Sequence, residues 1–182
     1  MTEYSISSCT APPDTDKMNG LLREYYALMI ARVQEMGGDV PTGHEPALKE
    51  FWDQIDEFLP PEGRLFIASD DDGRFIGCGS LKQVGGGKGE LKRLFVRPEA
   101  RGTGLGRRLV DLRIEAAHEM GLSTLLVDTL TANVEMRGLY AKLGFSEIDL
   151  FPESATFQRF PALRQYMRFY ELKLGQGSSS RH

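Results

Sequence analysis

The spacing of hydrophobic residues changes several times along the chain. Residues 4–9 alternate between apolar and polar side chains, which is typical of a strand. Apolar residues then recur every three or four positions as far as Pro60-Pro61, which indicates two helices, and beyond Arg64 the alternation returns. The first half of the chain therefore predicts a strand over Tyr4–Cys9, a helix from Asp14 or Asp16 to about Met36, a helix over Glu45–Leu59, and strands over Leu65–Ser69, Phe75–Val84 and Glu90–Val96.

Helices and strands continue to follow one another in the second half of the chain. Gly121 ends a helix whose apolar stripe begins at Leu105. No linker divides the pattern, so we expect one domain over residues 1–174 and a disordered Gly/Ser-rich tail over residues 175–182. Beyond Gly121 the pattern predicts a strand over Thr124–Leu130, a short helix capped by Asn133 that ends at Leu143-Gly144, a strand over Phe145–Leu150, a loop with some helix over 151–165, and a last strand over Tyr166–Leu174.

The composition is that of an ordinary soluble domain. Hydrophobic residues make up 41% and charged residues 26% of the 182 residues, and no apolar run approaches the roughly 18 residues of a membrane span. The N-terminus lacks the basic and apolar regions of a secretory signal, so we expect a cytoplasmic protein. Two cysteines, Cys9 and Cys78, cannot build a disulfide framework, and no Cys/His cluster indicates zinc. We therefore expect no metal and no membrane partner.

Charge is distributed unevenly along the chain. Residues 1–63 hold 12 acidic and 4 basic side chains, whereas residues 64–182 hold 14 acidic and 18 basic ones. This division argues against a general nucleic-acid binder, which would carry a basic surface throughout. Two interpretations stay open: the charges are solvated helix faces, or they present an anionic and a cationic ligand to different ends of one site.

Two glycine-rich segments are candidates for phosphate binding. The run Gly85-Gly86-Gly87-Lys88-Gly89 lacks the Lys-Ser/Thr ending of a phosphate loop and does not open a helix, so it predicts a hairpin. The run from Arg101 to Gly106, RGTGLG, instead lies between a strand and a helix. Its glycines leave backbone N–H groups uncovered at the positive end of the helix dipole, where a pyrophosphate would bind. The alternative is a strand-to-helix turn without a ligand.

Two motifs at this point resemble the GNAT superfamily of N-acetyltransferases. The first is Leu94-Phe95-Val96-x-Pro-x-x-Arg101-Gly-x-Gly104-Leu-Gly106, which looks like the acetyl-CoA signature of the family. The second is Asn133 followed by Tyr140 and Gly144-Phe145, which looks like its second half-motif. The order of elements over residues 4–174 is also similar to the family's. The departures are the expanded GGGKG hairpin and the long segment 151–165.

The resemblance implies an α/β fold of the GNAT acyl-CoA N-acyltransferase type. Its central sheet is mixed and mostly antiparallel, it is splayed between the fourth and fifth strands, and helices cover both faces. The resemblance also implies acetyl-CoA as acyl donor, with pantetheine bound along the strand that ends at Val96. The implied donor-binding residues are Leu94, Phe95, Val96, Arg101, Gly102, Thr103, Gly104, Leu105, Gly106, Arg107, Asn133 and Tyr140.

The resemblance further implies two catalytic residues. Tyr140 occupies the family's position for the general acid that protonates the departing thiolate, and a phenol of pKa about 10 is protonated at neutral pH. Glu90 occupies the position at which several members hold the base that takes the proton of the amine. Each has a structural alternative: Tyr140 as a core aromatic beside Leu139 and Leu143, and Glu90 as the ion-pair partner of Lys92 or Arg93.

The expected reaction is transfer of an acetyl group from acetyl-CoA to a primary amine of a small molecule, such as an amino acid or a polyamine, by direct attack. The acidic helices of residues 14–59 would line the acceptor side, which favours a cationic acceptor. A non-catalytic acyl-CoA-binding module and a protein N-acetyltransferase are the alternatives, and a homodimer formed through the last strands stays open. No nucleic acid is expected as a partner.

Overall fold

The computed structural model describes residues 3–40 and 43–175, so the predicted tail lies outside the described residues from position 176 onward. None of the helices in this described part is long and apolar enough to cross a bilayer. The strands are β1 (Tyr4–Ser8), β2 (Gly63–Asp70), β3 (Phe75–Gly85), β4 (Lys88–Val96), β5 (Thr124–Leu130), β6 (Ser146–Ile148) and β7 (Met167–Lys173). The helices are α1 (Thr15–Glu35), α2 (Glu45–Asp53), α3 (Leu105–Glu119), α4 (Val134–Lys142) and α5 (Ala155–Arg159).

Within the described residues, the seven strands form one sheet in the order β1-β2-β3-β4-β5-β7-β6. All neighbouring pairs are antiparallel except β4 and β5, which run parallel. The predicted mixed, mostly antiparallel sheet is therefore confirmed. The strand predicted over Phe145–Leu150 is shorter than expected, because only Ser146–Ile148 pairs with β7.

Helices cover both faces of the sheet. On one face, the apolar stripes of α1 and α2 pack on β2 and β3 around the buried Leu21 and Phe51. On the other face, Leu109 of α3 packs against β3 and β4, and Tyr140 of α4 packs against Tyr170 of β7. A third cluster around Phe169 joins the end of α1 to β7 and to the segment between β6 and β7. The two-sided arrangement agrees with the predicted fold class.

The start of α1 follows its predicted capping residue. The side chain of Asp14 accepts a hydrogen bond of 2.9 Å from the Lys17 backbone N–H and so caps α1.

The helix predicted over Glu45–Leu59 is wrong in its second half, because α2 ends at Asp53 and a 3₁₀ turn follows over Ile55–Phe58. The tighter turn lets the ring of Phe58 stack on that of Phe51, with ring centroids 6.1 Å apart.

The GGGKG run forms the predicted hairpin between β3 and β4. Gly85 pairs with Lys88, which leaves Gly86 and Gly87 as a two-residue loop. Both loop residues have positive φ, 60° and 73°, as a turn that matches the twist of the two strands requires, and glycine meets this requirement without strain.

Two irregularities interrupt the middle of the sheet. The parallel ladder between β4 and β5 ends at the pair Leu91–Val127, although both strands continue. On its other side, β4 pairs regularly with β3 up to Lys92 and resumes only at Phe95, so that Arg93 and Leu94 lie opposite Gly79 alone. This is a β-bulge, which bends the strand and increases its twist. The predicted splay between the fourth and fifth strands is therefore present, and a bulge lies beside it.

Candidate active site at the splayed strands

A cavity of about 640 Å³ opens where β4 and β5 part. Its floor is formed by the ends of these two strands, from Leu91 to Val96 and from Val127 to Leu130. One end lies at the start of α3, where the RGTGLG loop is found, and the other lies between α1, α2 and α5. The splay thus connects the glycine-rich loop to a second compartment on the α1 side of the sheet.

The RGTGLG loop leaves the start of α3 open to the cavity. Gly104 is the N-cap residue of the helix, has φ 83°, and provides no side chain to bond the first backbone N–H groups. A Cβ atom at Gly102 or Gly104 would meet no protein atom within 4 Å, so the space above both residues is free. Arg101 is held beside the loop by a 3.0 Å hydrogen bond from its Nε to the Val96 carbonyl. These features are those of an anion site at a helix start.

Ten of the twelve predicted donor-binding residues line the cavity: Leu94, Phe95, Val96, Arg101, Gly102, Gly104, Leu105, Gly106, Asn133 and Tyr140. Thr103 and Arg107 are not among the lining residues. The Thr103 hydroxyl donates to the Ala100 carbonyl at 2.7 Å and so fixes the turn before the helix. Arg107 pairs with Asp111 one turn further along α3, with 3.3 Å between nitrogen and oxygen. Both remain predictions as donor ligands.

Arg113, which the sequence analysis did not single out, holds the bulge from the α3 side. Its side chain is fully buried, and its Nη1 donates to the carbonyls of Ser80 and Lys92 at 3.1 and 3.5 Å. A Cβ atom at Gly79 would lie 3.0 Å from the Arg113 Nε, so a larger residue opposite the bulge would have to displace this side chain by a few tenths of an ångström. The guanidinium therefore ties β3, β4 and α3 together beneath the cavity.

Tyr140 lines the cavity at the end of α4 nearest the sheet. It is buried, and its ring contacts the rings of Phe145 and Tyr170, with centroid distances of 5.2 and 5.7 Å. Burial raises the pKa of its hydroxyl to about 12, and the charge of the nearby Arg113 opposes this rise. The hydroxyl is therefore protonated at neutral pH. The predicted role as proton donor and the alternative role as core aromatic are compatible in this position.

Glu90 lies on β4 below the cavity and is not among the lining residues. It is buried, and one of its carboxylate oxygens, Oε2, has no hydrogen-bond partner in the described part of the chain. Burial raises its pKa from 4.5 to about 7, while the charge of Lys92 opposes the rise and Asp128 reinforces it. Lys92 and Asp128 both line the cavity. Burial lowers the pKa of Lys92 to about 8 and raises that of Asp128, whose carboxylate accepts a 2.5 Å hydrogen bond from Ser154.

Asn133 occupies the predicted N-cap position of α4, but its side chain makes no capping hydrogen bond. Its amide instead donates to the Thr129 hydroxyl at 2.8 Å and accepts from the guanidinium of Arg32 on α1. The side chain is therefore held across the open end of β5, because it links that strand to α1. This orientation was not predictable from the capping pattern.

The charge of the α1 side of the cavity is the opposite of the sequence-based expectation. Most acidic side chains of α1 and α2 do not line the cavity, because amphipathic helices turn their polar faces outward. Glu50, the acidic lining residue from α2, is already paired with Arg159. The lining instead includes three further cations, Arg32, Lys92 and Arg93. The expectation of a cationic acceptor therefore loses its support.

Comparisons with known proteins identify the family. The profile described as Acetyltransferase (GNAT) family matches residues 25–145. An uncharacterized N-acetyltransferase of Schizosaccharomyces pombe is 34% identical over 145 residues, which cover 79% of this chain and 83% of that protein. The chain therefore belongs to the GNAT acetyltransferase family, and the resemblance found in its motifs is confirmed.

Solved structures support the same fold. A GNAT-family acetyltransferase from Staphylococcus aureus Mu50 superimposes with a TM-score of 0.69 and 19% identity, covering 94% of this chain and 100% of that one. A Bacillus subtilis acetyltransferase solved in complex with CoA gives a TM-score of 0.63 and 18% identity, covering 95% and 100%. At these identities the structures define the fold, and the substrates of this chain must be argued from its own residues.

The raised pKa of Glu90 predicts a pH-dependent stability. Between its ordinary pKa of 4.5 and about 7, the unfolded chain loses the Glu90 proton while the folded chain keeps it, so this group lowers the free energy of unfolding as pH rises. The variant Glu90→Gln lacks this effect. Its stability relative to the wild type should therefore increase from pH 4.5 to pH 7 and level off above, as measured by urea unfolding.

The exposed Glu119 at the end of α3 provides the control. Glu119→Gln should show a difference from the wild type that stays flat over the same pH range. A flat difference for Glu90→Gln as well would contradict the buried, uncompensated state of this carboxylate.

Proposed function

We propose that the protein transfers an acetyl group from acetyl-CoA to the primary amine of a small molecule. One observation carries the proposal. The open start of α3, the unpaired edge of β4 and the hydroxyl-bearing Tyr140 all border a single cavity. A thioester donor can therefore be bound along its length while its reactive end reaches a second compartment.

The donor would bind through backbone groups. The N–H groups at the start of α3 would bind the pyrophosphate, because they lack partners in the helix and lie at its positive end. The edge of β4 beyond Leu91 has lost β5 as a neighbour, so the pantetheine amides would pair with Leu94–Val96 in place of a strand. Arg101, fixed against the Val96 carbonyl, would add a positive charge between these two parts of the donor.

The acceptor would enter from the α1 side. Its neutral amine nitrogen would attack the thioester carbon, forming a new C–N bond and a tetrahedral oxyanion. Collapse of this intermediate breaks the C–S bond, and the departing thiolate would take the proton of the Tyr140 hydroxyl. A pKa of about 12 keeps the phenol protonated at neutral pH and so available as a donor, but it also makes the phenol a weaker acid than the thiol that forms. The phenolate left behind would therefore be reprotonated by solvent as the products leave.

The proton lost by the amine would go to the acidic residues of β4 and β5. Glu90 is the candidate base, and its pKa of about 7 suits a group that must accept a proton at neutral pH. Glu90 does not line the cavity, whereas Asp128 lines it and interacts electrostatically with Glu90. The proton would therefore reach Glu90 through Asp128. The two carboxylates would then act as one proton-accepting unit.

The donor site is tested by Gly104→Val. A side chain at this position would occupy the free space above the helix start, where the pyrophosphate is proposed to bind. We expect the affinity for acetyl-CoA, measured by calorimetry, to fall at least tenfold. Gly121→Val is the matched control, because Gly121 has a similar φ of 72° and open surroundings at the other end of α3.

The control variant carries the same backbone strain and should keep the affinity of the wild type. If both variants bind acetyl-CoA as the wild type does, the assignment of the RGTGLG loop is wrong. Circular dichroism establishes that both variants are folded.

The general acid is tested by Tyr140→Phe. The substitution removes the hydroxyl but keeps the ring and its contacts with Phe145 and Tyr170, so packing should change little. We expect turnover, followed by release of free thiol, to drop by roughly 10²–10⁴-fold, the range of a lost general acid. The loss should fall on kcat, because the proton is needed only as the C–S bond breaks.

Acetyl-CoA affinity should stay within a few-fold of the wild type in Tyr140→Phe. Near-normal turnover by this variant would refute the general-acid role. A wild-type protein that binds acetyl-CoA but releases no thiol with any amine would instead support a non-catalytic acyl-CoA-binding module.

The base is tested by the pH profile of Glu90→Gln. The variant should lose rate at neutral pH and recover part of it at higher pH, because free amine then accumulates in solution and needs no base. The measurement is kcat/KM from pH 6.5 to pH 9.5. A uniform loss at every pH would indicate a structural role for Glu90.

A further inference from the structure

We infer that the acceptor carries a carboxylate next to its amine, and that Arg93 on the β4 bulge binds this carboxylate with support from Arg32 and Lys92. The inference rests on the proposed acetyl transfer and adds the chemical class of the acceptor. It would make the substrate an amino acid or a close analogue.

Arg93 has the features of a side chain placed for a ligand. Among the described residues it is the only non-glycine residue with a positive φ, 53°. This backbone conformation is costly for any residue that carries a side chain. Its side chain is buried, at 8% exposure, and it lines the cavity. A strained backbone at a charged residue that borders a cavity indicates that the position of the charge matters.

The contacts of the Arg93 guanidinium fix its position without neutralising it. Its Nε donates to the Tyr26 hydroxyl at 2.9 Å, and its Cζ lies 4.9 and 5.3 Å from the ring centroids of Phe58 and Phe51. Its Nη1 is buried and has no hydrogen-bond partner within the described chain. Since arginine stays charged in proteins and an unpaired buried donor is costly, an anionic ligand would satisfy the free Nη1.

Two further cations of the cavity also lack an acidic partner among residues 3–40 and 43–175. The hydrogen-bond partner of Arg32 is the neutral amide of Asn133, which orients the guanidinium without cancelling its charge. Lys92 follows Glu90 on the same strand, yet no ion pair joins the two in the described structure, and burial lowers the pKa of Lys92. Arg159, in contrast, is neutralised by Glu50. Arg32, Lys92 and Arg93 thus line a cavity whose acidic lining residues, apart from the paired Glu50, are Asp128 and Glu135.

The rest of the α1-side wall is apolar. Met29 and Val33 of α1 form one part of it. Phe160 and Leu163, from the segment before β7, and Met167, the first residue of β7, form the other part. Such a wall would accept an aliphatic or aromatic side chain, because burying apolar surface on both partners is favourable. A carboxylate at Arg93, an amine toward the thioester and an apolar side chain against this wall describe an apolar α-amino acid.

Matched pairs of acceptors test the inference. The purified protein is given acetyl-CoA with leucine, methionine or phenylalanine, and separately with the corresponding amides, which keep the amine and the side chain but lose the anion. We expect kcat/KM for thiol release to be at least tenfold higher for the acids. Calorimetric titration of the same compounds into the CoA-saturated protein provides a readout that needs no turnover.

Variants of Arg93 and Arg32 test whether these cations cause the preference for the acids over the amides. Arg93→Gln and Arg32→Gln should raise KM for the acids and leave KM for the amides unchanged, so that the preference between them shrinks. Two variants on different elements are used because Arg93 also packs on aromatic rings and its loss could unfold the protein. Arg74→Gln, an exposed arginine that does not line the cavity, is the control and should keep the full preference.

The outcomes separate the inference from the proposed function. Equal or better use of the amides would overturn the carboxylate site while leaving acetyl transfer in place. Acetyl-CoA binding without thiol release from any amine would overturn the proposed function, and the calorimetric titration would then decide the inference. Absence of amino-acid binding in that titration, or tighter binding of the amides, would overturn it.

Discussion

The parting of β4 from β5 is the constraint on which the rest of the molecule depends. Parallel strands that keep their ladder leave no room for a ligand, and here the ladder stops at Leu91 and Val127 while both strands continue. The bulge at Arg93 and Leu94, two residues further along, bends β4 away. The cavity and the unpaired backbone edge of β4 follow from this one irregularity, and so does its connection to the start of α3.

Two buried arginines stabilise the bulge from opposite faces of the sheet. Arg113 reaches from α3 and donates to the carbonyls of Ser80 and Lys92, whereas the side chain of Arg93 turns toward α1 and packs on two aromatic rings. Burying a guanidinium costs several kcal/mol unless its N–H groups are bonded. Arg113 meets that requirement through the carbonyls of Leu109, Ser80 and Lys92 and leaves its Nη2 without a partner in the described chain. Arg93 donates one hydrogen bond, to the Tyr26 hydroxyl, and leaves its Nη1 without one. Arg113 is thus held mainly by backbone groups, whereas Arg93 is held mainly by aromatic side chains.

Glycine-rich motifs were predictable from the sequence, because the spacing of glycines reflects the geometry of the backbone directly. The loop from Arg101 to Gly106, the GGGKG hairpin and the fold class all follow from such patterns and from the family resemblance. The break after Asp53 was not predictable, because Phe51 and Phe58 keep the helical spacing of their stripe while the backbone between them tightens. Periodicity reports which side chains face the core and is insensitive to a short change in helix type.

One physical reason explains why the sequence patterns did not reveal some residues of the site. Arg113, Arg93 and Asp128 are charged residues on buried faces, and a pattern that equates charge with solvent exposure assigns them to the surface. The same assumption led from an acidic N-terminal third to a cationic acceptor, although amphipathic helices turn most of that acidity away from the cavity. A signal was present in Gly79, since a glycine in the middle of a strand indicates a close neighbour, here the Arg113 guanidinium. The charge of a binding site is therefore set by the few residues that a bulge or a splay turns inward, and the composition of the surrounding helices does not report it.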